Sequence, residues 1–250
     1  MPERQPLHRT QRQPSAFPPV IKNLLIINVL VFFAQFVAET TSTGWMIQLL
    51  SAGALYPPGS GDALAAMAQA SGQVPTIFGR ARPAALVMPG FQPWQVVTYA
   101  FLHADLFHIL INMYVLWMFG MQIEQQWGSR RFGVYFFVCV IGAALAQVLI
   151  RWGAPVPTLG ASGGVFGVLL AFGMMFPERR IMLLFPPIPI KAKWFVIGLG
   201  ALELFAGVSG GQSGVANFAH LGGALAGLLP ETHNPRPATA PSRNCVAVFR

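Results

Sequence analysis

Residues 158–167 read Thr158-Leu159-Gly160-Ala161-Ser162-Gly163-Gly164-Val165-Phe166-Gly167, and residues 217–227 read Asn217-Phe218-Ala219-His220-Leu221-Gly222-Gly223-Ala224-Leu225-Ala226-Gly227. Each stretch opens an apolar segment rich in glycine, and each carries one chemically capable side chain. A serine among so many small residues can be approached closely by another helix backbone, and Gly163 and Gly167 form a small-xxx-small pair. His220, Gly223 and Gly227 fall on one stripe of a helix, because spacings of three and seven are both close to whole turns. Two such helices can pack tightly enough to bring Ser162 within hydrogen-bond reach of His220, the arrangement in which an imidazole takes the hydroxyl proton during nucleophilic attack.

The rest of the chain says which medium surrounds those helices. Of the 250 residues, 54% are hydrophobic and only 10% are charged, against about a quarter charged in an ordinary soluble domain. Six apolar segments lie at roughly 21–38, 106–123, 132–150, 160–176, 194–208 and 215–230. They predict an all-α membrane protein, a bundle of six transmembrane helices, several of them short against the ~20 residues of a straight span. The connection from about 39 to 105 holds several prolines and glycines and one short apolar patch around Ala63–Ala70. The fifth segment, the weakest of the six, contains Glu203, either a polar contact within the bundle or a residue near the water on one side. The polar stretch 1–20 and the tail 231–250 flank a membrane domain over 21–230, and the tail reads as flexible. The first apolar block is long and lacks a small-residue cleavage site after it, so it reads as a retained anchor.

Charge supplies the topology. With the N-terminus in the cytoplasm and six crossings, the inside segments hold all 16 basic residues except Arg80, Arg82 and Arg151, as the positive-inside rule predicts. Both termini are then cytoplasmic. The net charge of +8 therefore reads as topology and contact with anionic lipid. A nucleic-acid surface would need basic residues gathered on one element and interleaved with aromatics, so no nucleic-acid partner is expected. Cys139 lies inside an apolar block and Cys245 in the tail, an improbable pair for a disulfide.

Ionisable residues inside the hydrocarbon need a reason to be there. His8 and His233 lie in the tails, whereas His103 and His108 stand at the start of the second segment. Asn112 follows His108 by four residues and shares its helix face. Asp105 is placed to cap that helix, leaving His103 in the entering loop. The string Gly160-Ala161-Ser162-Gly163-Gly164 also matches the G-x-S-x-G elbow of soluble hydrolases, but that elbow requires a strand before the serine, and here an apolar helix and a proline-containing loop precede it. There is no H-E-x-x-H zinc motif. Asp62 and Asp105, the only aspartates, belong to the outer connection and cannot form a buried dyad. No metal or other cofactor is expected.

These residues resemble the rhomboid family of intramembrane serine proteases. The likeness covers roughly 90–230 and rests on Gly160-x-Ser162-Gly163, on Ala219-His220-x-x-Gly223 followed by Gly227, and on His103…His108-x-x-x-Asn112. Glu124 and Gly128-Ser129-Arg130 at the close of the second helix add to it. The resemblance implies a bacterial-type six-helix core in an inner membrane, with transmembrane proteins as substrates cut near the outer leaflet. It implies a dyad, Ser162 as nucleophile and His220 as general base, with no evident carboxylate as a third member. It further implies that His108, Asn112 and the Ser162 backbone amide stabilise the oxyanion, and that Phe166 stacks on His220. Trp94 is implied as an anchor of the first outer loop, where Gln95 replaces the arginine of many members. Two other classes stand beside this one. A catalytically inactive relative that binds membrane clients would generally lack the serine or the histidine. A small-molecule transporter would carry more paired intramembrane charge than Glu203 alone.

Overall fold

A computed structural model describes residues 17–41, 43–62, 73–74, 82–83, 90–154, 156–183, 187–209 and 217–232. The polar residues 1–16, the tail beyond 232, and the Ala63–Ala70 patch with most of the 57–90 stretch lie outside the described residues.

The described chain is mostly helical. Helices α1 (Pro19–Thr41) and α2 (Thr43–Gly53) are followed by the outer connection, then by α3 (Leu106–Trp127), α4 (Ser129–Ile150), α5 (Ser162–Met175), α6 (Ala192–Val208) and α7 (Asn217–Thr232). Three of them, α1, α3 and α4, are long and apolar enough to cross a membrane, and α5 is a shorter apolar helix. α2 is an element that the apolar-segment reading did not separate from the outer connection. The helix ends sit within a few residues of the apolar blocks because local signals set them. Asp105 accepts a hydrogen bond from the His108 amide at 2.8 Å and caps α3. Gly128, at φ +80°, breaks the chain between α3 and α4.

The surface is reversed relative to a water-soluble bundle. On α1, Ile26, Ile27, Val29, Leu30, Phe33 and Phe36 are exposed, while Asn28 and Gln35 are buried. Such an apolar exterior is stable only against hydrocarbon, and the protein is an integral membrane protein. The buried polar groups on these faces tie helices together. Glu124 on α3 accepts the amides of Val20 at 2.9 Å and Ile21 at 2.8 Å, placing a negative carboxylate on donors at the start of α1 that have no intrahelical acceptor. Gln35 pairs with the backbone of His103 in both directions at 3.0 Å, donating to its carbonyl and accepting from its amide.

α7 is the central helix, packed most extensively on α4 and α5. Aromatic and aliphatic residues of α3, α4 and α5 fill the core, including Phe119, Phe132, Phe136 and Phe172. Against this, α6 is loosely held, with Ala192 its only fully buried residue. Arg180–Met182 and Pro189–Lys191 pair as a small antiparallel hairpin before α6. There the exposed Glu178 bridges Lys191, at 2.7 Å, and Lys193, and the two ammonium groups hold its carboxyl down at about 2.

The connection between α2 and α3 is built onto the loop that precedes Ser162. Gln95 accepts the amides of Tyr56 and Gln92 and donates to the Ser51 carbonyl, so one neutral amide supplies both donor and acceptor to the fold of this connection. Trp94 donates to the Ala52 carbonyl at 2.8 Å while its ring stays exposed, as suits an indole at a bilayer interface. Leu55 and Thr158 exchange two backbone hydrogen bonds of 2.9 Å, and the Gly160 amide donates to the Tyr99 carbonyl at the same distance.

Candidate active site

Ser162 is the first residue of α5. The amides opening a helix have no intrahelical acceptor, so the backbone at Ser162 and Gly163 presents donors at the positive end of the helix dipole. Gly160, two residues before, is required on two counts. Its φ is +120°, and a Cβ there would lie 2.7 Å and 2.8 Å from Cε1 and Nε2 of His108. The bare glycine thus lets the His108 ring close over the loop beside Ser162.

The glycine stripes do bring the serine and histidine together. A Cβ on Gly223 would overlap the Gly163 carbonyl oxygen and sit 2.7 Å from its carbon, so α5 and α7 meet backbone to backbone. Gly163 also faces Ala143, and Gly167 and Gly227 face Cys139, all across the α4 surface. At the end of this contact His220 Nε2 lies 2.8 Å from Ser162 Oγ. The Phe166 ring is stacked on the imidazole at 4.5 Å between centroids and 5° between planes, which limits the ring to rotation in its own plane.

His108 and Asn112 lie on one side of α3, as their spacing implies. The Asn112 side chain donates to the His108 carbonyl at 3.0 Å, leaving its second amide proton for another acceptor. His108 Nδ1 accepts a long, 3.4 Å hydrogen bond from the Ala104 amide. That contact assigns the proton to Nε2, the nitrogen nearest Gly160. His103 stays in the loop, fully buried and edge-on to His108 at 5.1 Å. Burial, and secondarily the proximity of His108, lower its pKa to about 3. It is therefore a neutral packing partner for His108.

One site residue went unassigned in the sequence, which left Glu203 open between a polar contact within the bundle and a position near water. Glu203 of α6 puts Oε2 3.0 Å from His220 Nδ1 and accepts a 2.6 Å hydrogen bond from Asn217. The Nδ1 contact is close but off the line of the ring N–H, so His220 Nδ1 has no aligned hydrogen-bond acceptor. We describe it as a charge contact. The signal that could have found it is the rarity of an acid within an apolar segment.

Chemically, the cluster has a hydroxyl, a base within hydrogen-bond reach of it, and donors from α3 and the α5 N-terminus beside the hydroxyl. Among the described residues no group of three or more His, Cys, Asp or Glu side chains could hold a metal.

The Rhomboid domain family model matches residues 90–232, more than half of the chain and all of the elements that carry this cluster. Similar proteins include Rhomboid protein 1, mitochondrial, of Saccharomyces cerevisiae, 32% identical over 138 residues that make up 54% of this chain and 40% of the relative. RHOMBOID-like protein 1 of Arabidopsis thaliana is 32% identical over 172 residues, 63% of this chain and 42% of the relative. The human presenilin-associated rhomboid-like protein, mitochondrial, is 37% identical over 136 residues, 53% and 36% of the two chains. The match spans less than half the length of each of these relatives.

Proposed function

The chain belongs to the rhomboid family, and from that premise we propose that it is an intramembrane serine endopeptidase that cuts transmembrane segments of client proteins near the outer leaflet. The observation that carries this reading is the 2.8 Å approach of His220 Nε2 to Ser162 Oγ. The bound client's carbonyl carbon would be attacked by Oγ as the hydroxyl proton passes to Nε2, and the imidazolium would then protonate the leaving amine. The Ser162 amide, His108 Nε2–H and the spare Asn112 N–H would hold the oxyanion. An inactive relative and a transporter are both less well supported, since Ser162 and His220 are present and in contact.

The proposed domain is 21–230, crossing the bilayer six times. In this reading Ser162 lies below the outer surface, which suits the tight glycine packing, and both termini are cytoplasmic, which the basic-residue bias favours. The proposed membrane is a bacterial inner membrane; the mitochondrial names of the yeast and human relatives belong to those proteins.

Treating the purified protein with a fluorophosphonate probe tests the assignment. The label is expected on Ser162 by peptide mapping, and a label on another serine, or none, overturns it. Asn112→Ala is expected to reduce turnover of a model transmembrane substrate by about 10²–10³-fold at an unchanged thermal midpoint. Undiminished cleavage would remove Asn112 from the oxyanion site.

A further inference from the structure

Glu203 is the one acidic residue of α6, and its partners, His220 and Asn217, both lie on α7. The side chains of His220 and Glu203 are only 12% and 15% exposed, so neither is in bulk water. A carboxylate inside an apolar helix is costly unless it is paired or used. Here it lies 3.0 Å from the far nitrogen of an imidazole whose near nitrogen meets Ser162.

We propose that Glu203 is a positioning residue for the base, completing a Ser162–His220–Glu203 relay in which Asn217 holds the carboxylate. This deepens the protease reading above and rests on it. The ring has two nitrogens, and only one tautomer leaves Nε2 unprotonated and able to receive the serine proton. A carboxylate at Nδ1 selects the tautomer with its proton there. Phe166 fixes the plane of the ring, and the carboxylate charge 3.0 Å from Nδ1 favours the tautomer protonated there. His108 on α3 also lies near the ring but contributes no anion, and Glu203 is the only carboxylate within 4 Å of His220 among the described residues.

The proton balance is simple. The Oγ–H proton moves to Nε2 as the Oγ–C bond forms and the carbonyl electron pair moves onto oxygen. The Nδ1 proton stays on the ring, facing Oε2, and Glu203 remains a carboxylate throughout. Nε2 then delivers its proton to the amine nitrogen as the C–N bond breaks. In the second half a water gives its proton to Nε2 while attacking the acyl ester, and Ser162 recovers a proton as the C–Oγ bond breaks. The off-line geometry at Nδ1 suits a free enzyme, in which such contacts are often poorly aligned before substrate binds.

The test compares wild type, Glu203→Gln, Glu203→Asp and Ser162→Ala as purified full chains in micelles, using fluorophosphonate labelling and cleavage of a model transmembrane substrate. Nitrogen spectra of the histidine rings report the tautomer directly. Glu203→Gln is expected to lower kcat and the labelling rate by about 10–100-fold with KM unchanged, and to raise the proportion of the Nε2–H tautomer at His220. Glu203→Asp is expected to recover part of the rate. Wild-type kinetics and tautomer in Glu203→Gln would overturn the proposal. So would equal losses in the Gln and Asp variants with an unchanged tautomer, the mark of a purely structural contact. A wild-type chain that neither labels nor cleaves overturns the protease reading instead, and the relay with it.

Discussion

With His220 replaced by alanine, fluorophosphonate labelling and substrate cleavage are expected to fall by about four to six orders of magnitude while the protein stays folded. The size follows from the role. A serine hydroxyl is a weak nucleophile at neutral pH and needs a base at hydrogen-bond distance to take its proton; the 2.8 Å contact to Nε2 supplies one. Among the other described residues, His108 lies beside the neighbouring loop, but its Nε2 carries the proton in the tautomer assigned above and cannot accept another. Glu203 meets Nδ1 on the far side of the ring. Folding is expected to survive because the close contacts that hold α7 are made at Gly223 and Gly227, which the substitution leaves in place. The check is the labelling rate alongside a thermal unfolding profile. Labelling at the wild-type rate would remove His220 as the base.

What the sequence could show of this site, and what it could not, divides by distance along the chain. The Asp105 cap is a local matter, three residues from its partner His108, and the His108–Asn112 face follows from one helical turn. The glycine stripes are also periodic, and their spacing implied the close approach of α5 and α7. Helix ends were legible to within a few residues for the same reason. The contacts that were not legible join residues far apart. Gln35 clasps His103 from 68 positions away, and Glu124 caps α1 across 103. Gln95 was visible only as a departure from a pattern. That it would serve Tyr56, Gln92 and Ser51 at once depends on how the outer connection folds back. Glu203 is the instructive case. A lone acid in an apolar segment looks the same whether it faces a headgroup, a neighbouring helix or a catalytic ring, and no periodicity on α6 separates these. Only the rotation of α6 against α7 decides, and that depends on packing over the whole helix pair.

Placing a single methyl group on Gly223 is expected to damage both stability and activity, although it touches no reacting atom. A Cβ at this position would overlap the Gly163 carbonyl oxygen, with the carbonyl carbon at 2.7 Å and Cα at 3.1 Å. All three are backbone atoms of α5, so no side-chain rotation can relieve the clash and the two helices have to separate. Overpacking of this kind typically costs about 1–3 kcal/mol. The kinetic effect is expected to be the larger one. His220 lies one turn before Gly223 and Ser162 lies one residue before Gly163, so the helix separation falls directly on the hydrogen bond between them. A misplacement of about 1 Å can cost about 100-fold in rate, and Gly223→Ala is expected to lose at least that in labelling. Gly198 on α6 provides the matched control, because nothing lies within 4 Å of a Cβ there. Gly198→Ala is expected to keep the wild-type labelling rate and thermal midpoint, or to gain slightly through helix propensity. If Gly223→Ala labels as fast as Gly198→Ala, the serine and histidine do not depend on the glycine contact, and the close approach of α5 and α7 is not what brings them together. If it fails while Gly198→Ala does not, the glycines of the two quoted stretches serve the chemistry by setting the distance between its two reacting groups.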